Sequence, residues 1–550
     1  MTTLTRPCAT HAWPTLAWTA FAGLLLAGAL PHLDWGWLAW IGLVPFLRLL
    51  PLKNKRTAFA HGLILGVFYL GVMAYWVAIF AAPIIGPSLS VLGWALVTAY
   101  QAFYLGIWAV GAQWLRQCDS PWAFRLGVPA LWAIVEWWRQ SGPLGLSWGD
   151  LAYTQHLALP ILQVTKLTGI WGLAFLIVLV NVALTEVSEV RGAGADKKAG
   201  VDQWAGVDQR AGVDQRAGAS PAPTGSNLAS PKVDGGWSGG VFLFLTSVLV
   251  AAALLFGTLS IRNEHLHPTF VAAALQGNIN QNVTQGAAYE TRVQKIFSAQ
   301  TQAAVAQGAV LTVWPETAYP GYLQSSLNTP NSTVAIIGGV DYDWKSRKNA
   351  NSLFLRNMRG EVTGSYRKRQ LVPFGEFVPG RRWLPFLEAL HVTVFDMQAG
   401  ADTQPLLDGG PGIGKIGTVI CFESSYPRLT REQVARGAGL LVISTDDTWF
   451  GRTAAARQHS AMAAVRAAET DRYLIRSAAT GVSQVVDPTG RVLTEAGLFR
   501  PAVVAAPVET RTTRTLYVRW GDWFIGLSSL IVAGLGVFSV RGRRAGTFRS

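Results

Sequence analysis

Cysteine is scarce in this chain of 550 residues: Cys8, Cys118 and Cys421 are the only three, each more than a hundred positions from the next. That spacing leaves no zinc-type CxxC pair and no disulfide framework, so no metal site is expected. Charge is scarce too. Asp, Glu, Lys and Arg make up 14% of the residues, where a soluble domain carries roughly a quarter. Acidic residues are the rarer sign, 32 against 46 basic, for a net charge of +14. The basic residues sit in short loops beside apolar blocks and in the C-terminal tail, with no stripe of Lys and Arg interleaved with aromatics, so a nucleic-acid partner is not expected. What is abundant is apolar: half the residues, 23 tryptophans among them, and a mean hydropathy of +0.27. These residues cluster before residue 190, near 240–260 and at 522–540, whereas 262–519 has ordinary globular composition.

Crossing about 30 Å of hydrocarbon takes about 20 apolar residues in a helix. Eight segments qualify as expected spans: roughly 14–31, 36–51, 58–82, 89–115, 122–138, 163–185, 239–260 and 521–540, the second and fifth being short. The first is read as a retained span rather than a cleaved leader, since only Arg6 precedes it and more spans follow. Lys53, Lys55 and Arg56 follow span two, Arg116 and Arg125 follow span four, and Arg541, Arg543, Arg544 and Arg549 end the chain. The alternate loops 31–36 and 81–88 carry no Lys or Arg. The positive-inside rule then puts both termini in the cytoplasm and the segment between spans seven and eight on the outer face. The expected order is membrane helices over 1–186, a linker over 187–238, a helix over 239–261, an outer-face catalytic domain over 262–519, a last helix over 520–540 and a basic cytoplasmic tail over 541–550. The linker holds the tandem repeat AGVDQWAGVDQRAGVDQRAG and a Pro/Ser/Gly-rich run, and is expected to be disordered. Glu136, beside Trp137 and Trp138 near a helix end, is expected at the membrane interface.

Within 262–519, short β-branched runs alternate with helical stretches, which predicts an α/β domain. Strands are expected at 270–275, 310–314, 333–337, 416–420 and 440–444, hairpins at 351–357 with 361–367 and at 484–486 with 492–494, and helices at 290–307 and 454–470. Three chemically capable residues fall at or near strand ends, where layered α/β domains place catalytic groups. Cys421 ends the apolar run of KIGTVICFESSYP; a lone cysteine is more often a small buried hydrophobe, and as a nucleophile it would need a base beside it. Glu316 in TVWPETAYP is a candidate base, although a Pro-Glu after a strand also begins helices. Lys368 in SYRKRQLVPFGEFVP is a candidate oxyanion stabiliser, although Arg367, Lys368 and Arg369 equally resemble a solvated basic face.

Together, glutamate, lysine and cysteine in this order and local context resemble the catalytic set of the nitrilase superfamily. The likeness widens with QGNINQ, YRKRQLVPFGEFVP, GTVICFE, the long string from STDDTWFG to SQVVDPTG, and the membrane strings GLVPFLRLL and PALWAIVEWWRQ. With these, nearly the whole chain except the linker resembles the apolipoprotein N-acyltransferase family. The resemblance implies a polytopic α-helical membrane domain joined to a nitrilase-like αββα sandwich. It implies Cys421 as nucleophile, Glu316 as general base, and Lys368 with the Phe422 amide as oxyanion donors. Glu376 and Glu423 would support the site. Two positions depart from the family: Phe422 stands where tyrosine is frequent, and Gln285 where tryptophan is frequent, a contact that Trp314, Tyr319 or Trp383 could replace.

The implied reaction takes an acyl chain from a phospholipid, phosphatidylethanolamine at sn-1, to the α-amine of a diacylglyceryl-cysteine lipoprotein, without a cofactor. The implied setting is the bacterial inner membrane, with the catalytic domain of a monomer on the periplasmic face. Both substrates are held in lipid, so the site must open at the bilayer surface. A flap over 373–385 bearing Phe374, Phe377, Arg381 and Arg382 is expected there, with a loop packed on the domain core as the equal alternative, and the loop 142–156 with Ser147 and Trp148 is expected to contribute to the entrance or anchor at the interface. Two other classes compete. A membrane-tethered nitrilase-type amidase would share the same three residues but would not need seven preceding spans. A transporter or scaffold with an inactive domain would be expected to lack one of them, and to show a polar relay within the spans.

Overall fold

The computed structural model describes residues 12–50, 52, 54–142, 144–208, 237–279, 287–319, 333–380 and 396–547, with side chains left aside at 12–13, 190–208, 237–238, 287–288 and 538–547. Among the described residues four helices are long and apolar enough to cross a membrane: α2 (Lys55–Met73), α4 (Pro87–Arg116), the Ile170–Glu189 part of α6 (Ile170–Asp208), and the Gly239–Arg262 part of α7 (Trp237–Arg262). The apolar helical stretches of the other expected spans are shorter, that of the last being Trp523–Val537. Among them, α1 (Ala12–Gly28), α5 (Val128–Arg139) and α11 (Trp523–Thr547) are helices, but the 36–51 segment is a 3-10 turn, Gly36–Trp40, and one α-turn, Val44–Leu47. Gly36, Gly42 and Pro45 break it. The 58–82 segment also divides: α2 stops at Met73 and α3 (Trp76–Ile85) restarts after Ala74 and Tyr75.

The first residues of the expected linker are helical, not disordered, because α6 runs on to Asp208; extending an existing helix avoids a second nucleation. The remainder, 209–236, lies outside the described residues. At the far end of the helical bundle, Arg125 pairs with Glu186 at 3.0 Å and Arg116 with Glu189. Both acids lie about 25–30 Å along α6 from Ile170, where the chain meets the extramembrane domain. Lys166 there bridges Asp471 (3.0 Å) and Glu264 (3.4 Å), and Arg511 bonds the same two acids at 3.1 and 2.6 Å. The basic fringe is thus separated from the domain by about one hydrocarbon thickness.

The domain begins at β1 (Phe270–Gln276). Then come α8 (Ala287–Ala306), β2 (Ala309–Val313), β3 (Val334–Asp343), β4 (Lys348–Arg356) and β5 (Val362–Arg367). The second half contains β6 (Leu407–Asp408), β7 (Lys415–Ile420), α9 (Pro427–Ala435), β8 (Leu440–Thr445), α10 (Ala454–Thr470), β9 (Leu474–Ala478), β10 (Ser483–Val486), β11 (Val492–Ala496) and β12 (Ala502–Val508). Two six-stranded sheets form, ordered β12-β1-β2-β3-β4-β5 and β11-β10-β9-β8-β7-β6. β1, β2 and β3 are mutually parallel, as are β7, β8 and β9. Of these buried central strands β1, β2, β7 and β8 read as mainly apolar runs, whereas the outer hairpin strands β5 and β11 are largely exposed.

Three apolar layers hold the domain. Leu311, Val313, Ile336 and Leu353 of the first sheet pack against Ile416, Ile420, Val442 and Ile475 of the second. Val293 and Phe297 of α8 cover the outer face of the first sheet. The outer face of the second sheet packs on α9 and α10, and that core continues without a break into Trp108, Trp132, Trp148 and Leu173 of the membrane part. This is the expected αββα sandwich, with the helical bundle as a further layer beyond α10. Accordingly α10 is buried on nearly every side and lacks the polar stripe of a surface helix.

The loop between α5 and α6 is fixed from below. The Leu151 amide donates to Glu136 at 2.9 Å, Arg139 pairs with Asp150, and Gln140 donates to Asp150 at 2.7 Å. Glu136 is therefore buried within the protein and not placed at a lipid interface, because it satisfies the turn that closes this loop.

Candidate active site

Cys421, Glu316 and Lys368 are brought together from both sheets. Glu316 follows β2 in a tight turn, with Thr317 at φ +50°. Gly338 on β3 makes room for that turn, since a β-carbon there would meet the Pro315 carbonyl and the Glu316 Cα. Lys368 follows β5, its amide donating to the Asn351 carbonyl of β4 at 2.8 Å. Cys421 follows β7 and opens the 3-10 turn Cys421–Ser425. Its φ of +50° is a left-handed conformation that costs a non-glycine residue about 1–3 kcal/mol and persists where surroundings enforce it.

The polar groups form one buried cluster. Lys368 Nζ donates to Glu316 Oε1 at 3.2 Å and Glu376 Oε1 at 2.9 Å. Asn351 Nδ2 donates to the same two oxygens, at 2.6 and 3.1 Å. Glu316 Oε2 accepts from the Asp446 amide at 2.7 Å, and Glu376 Oε2 from the Val372 amide at 2.8 Å. Lys368 is 1% exposed, Glu316 6% and Cys421 9%, so the cluster is nearly sealed while the sulfur retains some access. Both the Glu316 carboxylate and the Lys368 ammonium act on the thiol electrostatically.

Burial alone would lower the Lys368 pKa, but the carboxylates of Glu316 and Glu376 outweigh it and hold the ammonium well above its ordinary range. Burial and the Glu316 carboxylate push the Cys421 thiol well up, against the pull of Lys368. The resting group is therefore a thiol, and any nucleophilic use of it would require a neighbouring base to take its proton.

The remaining expected residues have definite places. Glu423 is fully buried and accepts from Tyr366 Oη (3.0 Å) and the amides of Arg369 (2.6 Å), Gln370 (3.1 Å) and Ile420 (2.8 Å). It fastens the Cys421 turn to the Lys368 strand without touching the thiol cluster. Phe422 packs edge-on against Tyr426. Phe374 is 40% exposed at φ +63°, at the tip of a turn closed by its own amide bonding the Phe377 carbonyl at 2.7 Å. Trp148 is buried at 1% exposure, its Nε1 donating to Gln458 at 2.7 Å, so its ring is a packing element and does not anchor at a lipid interface. Trp314 stacks on Phe297 under α8 and serves that core. Gln285, Arg381, Arg382 and Trp383 lie outside the described residues.

Sequence reasoning missed Asn351, Thr445, Asp446, Asp447 and His459. A signal existed for three of them: Thr445, Asp446 and Asp447 lie at the end of β8, the position that singled out Glu316 and Cys421. Among the described residues no cluster of His, Cys, Asp and Glu could hold a metal ion.

Asp446 offers a pH test. Burial pushes its carboxyl up to about 7, whereas an unfolded Asp titrates near 3.9. The folded protein therefore binds a proton that the unfolded chain releases, and stability falls as pH rises from about 4 through 7. Asp446→Asn keeps an acceptor for the Thr448 amide. Its unfolding midpoint is expected to exceed the parent's far more at pH 8 than at pH 4, a difference on the order of a few kcal/mol. Equal shifts at the two pH values would contradict the assignment.

Two family models match this chain: the apolipoprotein N-acyltransferase N-terminal domain over residues 22–183 and carbon-nitrogen hydrolase over 271–517. Among solved structures, Saccharomyces cerevisiae Nit3 of the nitrilase superfamily is 17% identical, covers 44% of this chain and 91% of its own, and gives a TM-score of 0.34. Full-length similarity is found with apolipoprotein N-acyltransferases. The one from Gloeobacter violaceus is 29% identical over 95% of this chain and 94% of its own. That from Pseudomonas putida is 28% identical over 98% of both, and that from Geobacter metallireducens 32% identical over 94% of both. With the similarity running through the membrane helices and the sandwich alike, the chain belongs to the apolipoprotein N-acyltransferase family, acyltransferases of the carbon-nitrogen hydrolase superfamily.

Proposed function

We propose that this enzyme takes a fatty acyl group from a phospholipid, phosphatidylethanolamine at sn-1, onto Cys421 as a thioester, and passes it to the α-amine of a diacylglyceryl-cysteine at a lipoprotein N-terminus. One arrangement carries this reading: the buried Glu316–Lys368–Glu376 charges gathered around a protonated thiol. Glu316 takes the thiol proton as sulfur attacks the ester carbonyl. The Lys368 ammonium and the Phe422 amide receive the oxyanion. Collapse expels the lysophospholipid alkoxide, which takes its proton from Glu316. In the second half-reaction the amine attacks the thioester, Glu316 accepts the amine proton, and the thiol is regenerated with an amide on the lipoprotein. An α-amine has a pKa near 8, so a useful fraction is neutral at physiological pH.

Glu376 neutralises the second side of Lys368, so that one full negative charge remains to Glu316 for base work. Each buried methylene contributes about 0.8 kcal/mol to holding a lipid in the bilayer, so both substrates react at its surface. The exposed turn bearing Phe374 is the proposed threshold, and Trp148 supports the site from the membrane side. The basic helix ends remote from the domain favour a cytoplasmic fringe and a periplasmic catalytic domain in the bacterial inner membrane, with the protein acting as a monomer.

The test is intact mass spectrometry of the full chain incubated with phosphatidylethanolamine. The expected result is an adduct of one acyl mass that hydroxylamine removes and a diacylglyceryl peptide discharges, leaving the peptide one acyl group heavier. Release of free fatty acid with the peptide unmodified would point to a hydrolase and defeat the proposal.

A further inference from the structure

Beside Cys421 lies a second polar cluster that the proposed chemistry does not use. His459 of α10 is fully buried, and its Nε2 stands 3.1 Å from the carbonyl oxygen of Cys421 and 2.7 Å from Ser424 Oγ. Ser424 Oγ itself donates to that carbonyl at 2.8 Å. The other ring nitrogen, Nδ1, lies 3.0 Å from Asp447 Oδ1 and 3.1 Å from Arg476 Nη2. Asp447 is tied down by Arg476 at 2.6 Å and the Thr445 hydroxyl at 2.8 Å. Trp148 and Phe450 wall the imidazole, with ring centroids 5.2 and 5.9 Å away.

A carbonyl oxygen only accepts, so the Nε2 aimed at it carries a proton. Nδ1 is then an acceptor, and the donor it faces is Arg476 Nη2 at 3.1 Å, which Asp447 holds in place at 2.6 Å. The grip matters because a peptide unit is planar and trans: the Cys421 C=O and the Phe422 N–H belong to one rigid plate and point in opposite directions. Whatever fixes that oxygen fixes the aim of that amide. The left-handed Cys421 backbone needs such a constraint, since the peptide could otherwise rotate away from a strained φ.

We propose that His459, oriented by Arg476, which Asp447 holds, and assisted by Ser424, is a positioning residue that grips the Cys421 carbonyl and thereby aims the Phe422 N–H at the oxyanion. The proposal rests on the reading of Cys421 as the acyl-carrying nucleophile. It separates two reactions of the same sulfur. Acylation passes through a tetrahedral oxyanion and needs the aimed amide. Alkylation by iodoacetamide is a displacement with no oxyanion and does not.

The experiment compares both rates in the full-length protein. His459→Asn keeps a polar atom near Nδ1 but loses the reach to the carbonyl, whereas His459→Gln places an amide N–H near the position of Nε2. His459→Asn is expected to slow thioester formation by about 10²–10³-fold, the loss typical of one oxyanion donor, with KM for phospholipid unchanged. Iodoacetamide alkylation of Cys421 should stay within about twofold, and His459→Gln should restore much of the acylation. Ser424→Ala gives the same pattern at about tenfold and serves if the histidine variants do not fold. Acylation that survives in both His459→Asn and Ser424→Ala, or alkylation that falls in step with acylation, overturns the proposal. Retention of full transferase activity after complete alkylation of wild-type Cys421 would instead overturn the reading of the nucleophile.

Discussion

Cys421→Ala is expected to lower acyl transfer by about 10⁴–10⁶-fold, the range seen when a covalent nucleophile is removed from an otherwise intact site. The substitution is conservative for the fold. The side chain is small and nearly buried, the neighbouring Glu423 bonds to the Ile420, Arg369 and Gln370 amides do not involve sulfur, and alanine loses only one atom. Unfolding should therefore shift little while labelled acyl transfer from phospholipid to a diacylglyceryl peptide vanishes. Serine should not rescue, because its hydroxyl is a far weaker nucleophile at neutral pH and Glu316 would have to remove a much less acidic proton. Residual transfer within tenfold of wild type would mean that acyl passes directly from lipid to amine.

Lys368→Met should damage both folding and chemistry. Lys368 is buried between two carboxylates at 3.2 and 2.9 Å. Removing one member of a buried ion cluster leaves the others uncompensated and costs about 3–5 kcal/mol. The orphaned acids would respond by sharing a proton, which takes Glu316 out of service as a base and removes the oxyanion cation as well. Adding Glu376→Gln should recover part of the lost stability, since only one of the two carboxylates that Lys368 paired then remains, but none of the activity. Thermal unfolding and single-turnover acylation of the single and double variants measure this. Full recovery of acylation in the double variant would show that Lys368 serves Glu376 and not the reacting carbonyl.

The strands leading to Glu316 and Cys421 were legible because their apolar runs are mostly buried and end abruptly at Pro315 and Cys421, whereas β5, which leads to Lys368, is largely exposed and showed itself only as half of a hairpin. β9 and β12 were not. β9 carries the buried Arg476, and β12 is built of alanine and valine around Pro507, so neither shows the pattern of a core strand. Hydropathy marked the apolar segments but could not say which would be continuous helices; glycine and proline decide that in 36–51. Of the site, the three residues with distinctive local strings stood out. Asn351 and His459 did not, since each acts through a contact made across the fold, and nothing near them in sequence announces the partner.

The unbroken core from the second sheet through α10 into Trp108, Trp132 and Leu173 has a consequence for what the sandwich is. A soluble catalytic module hung from an anchor would turn a wetted face toward its tether. Here the corresponding face is dry, and the helical bundle is its wall. Excision at 262–519 would lay bare α10 and the back of the strands that carry Cys421, so the severed piece should clump in water.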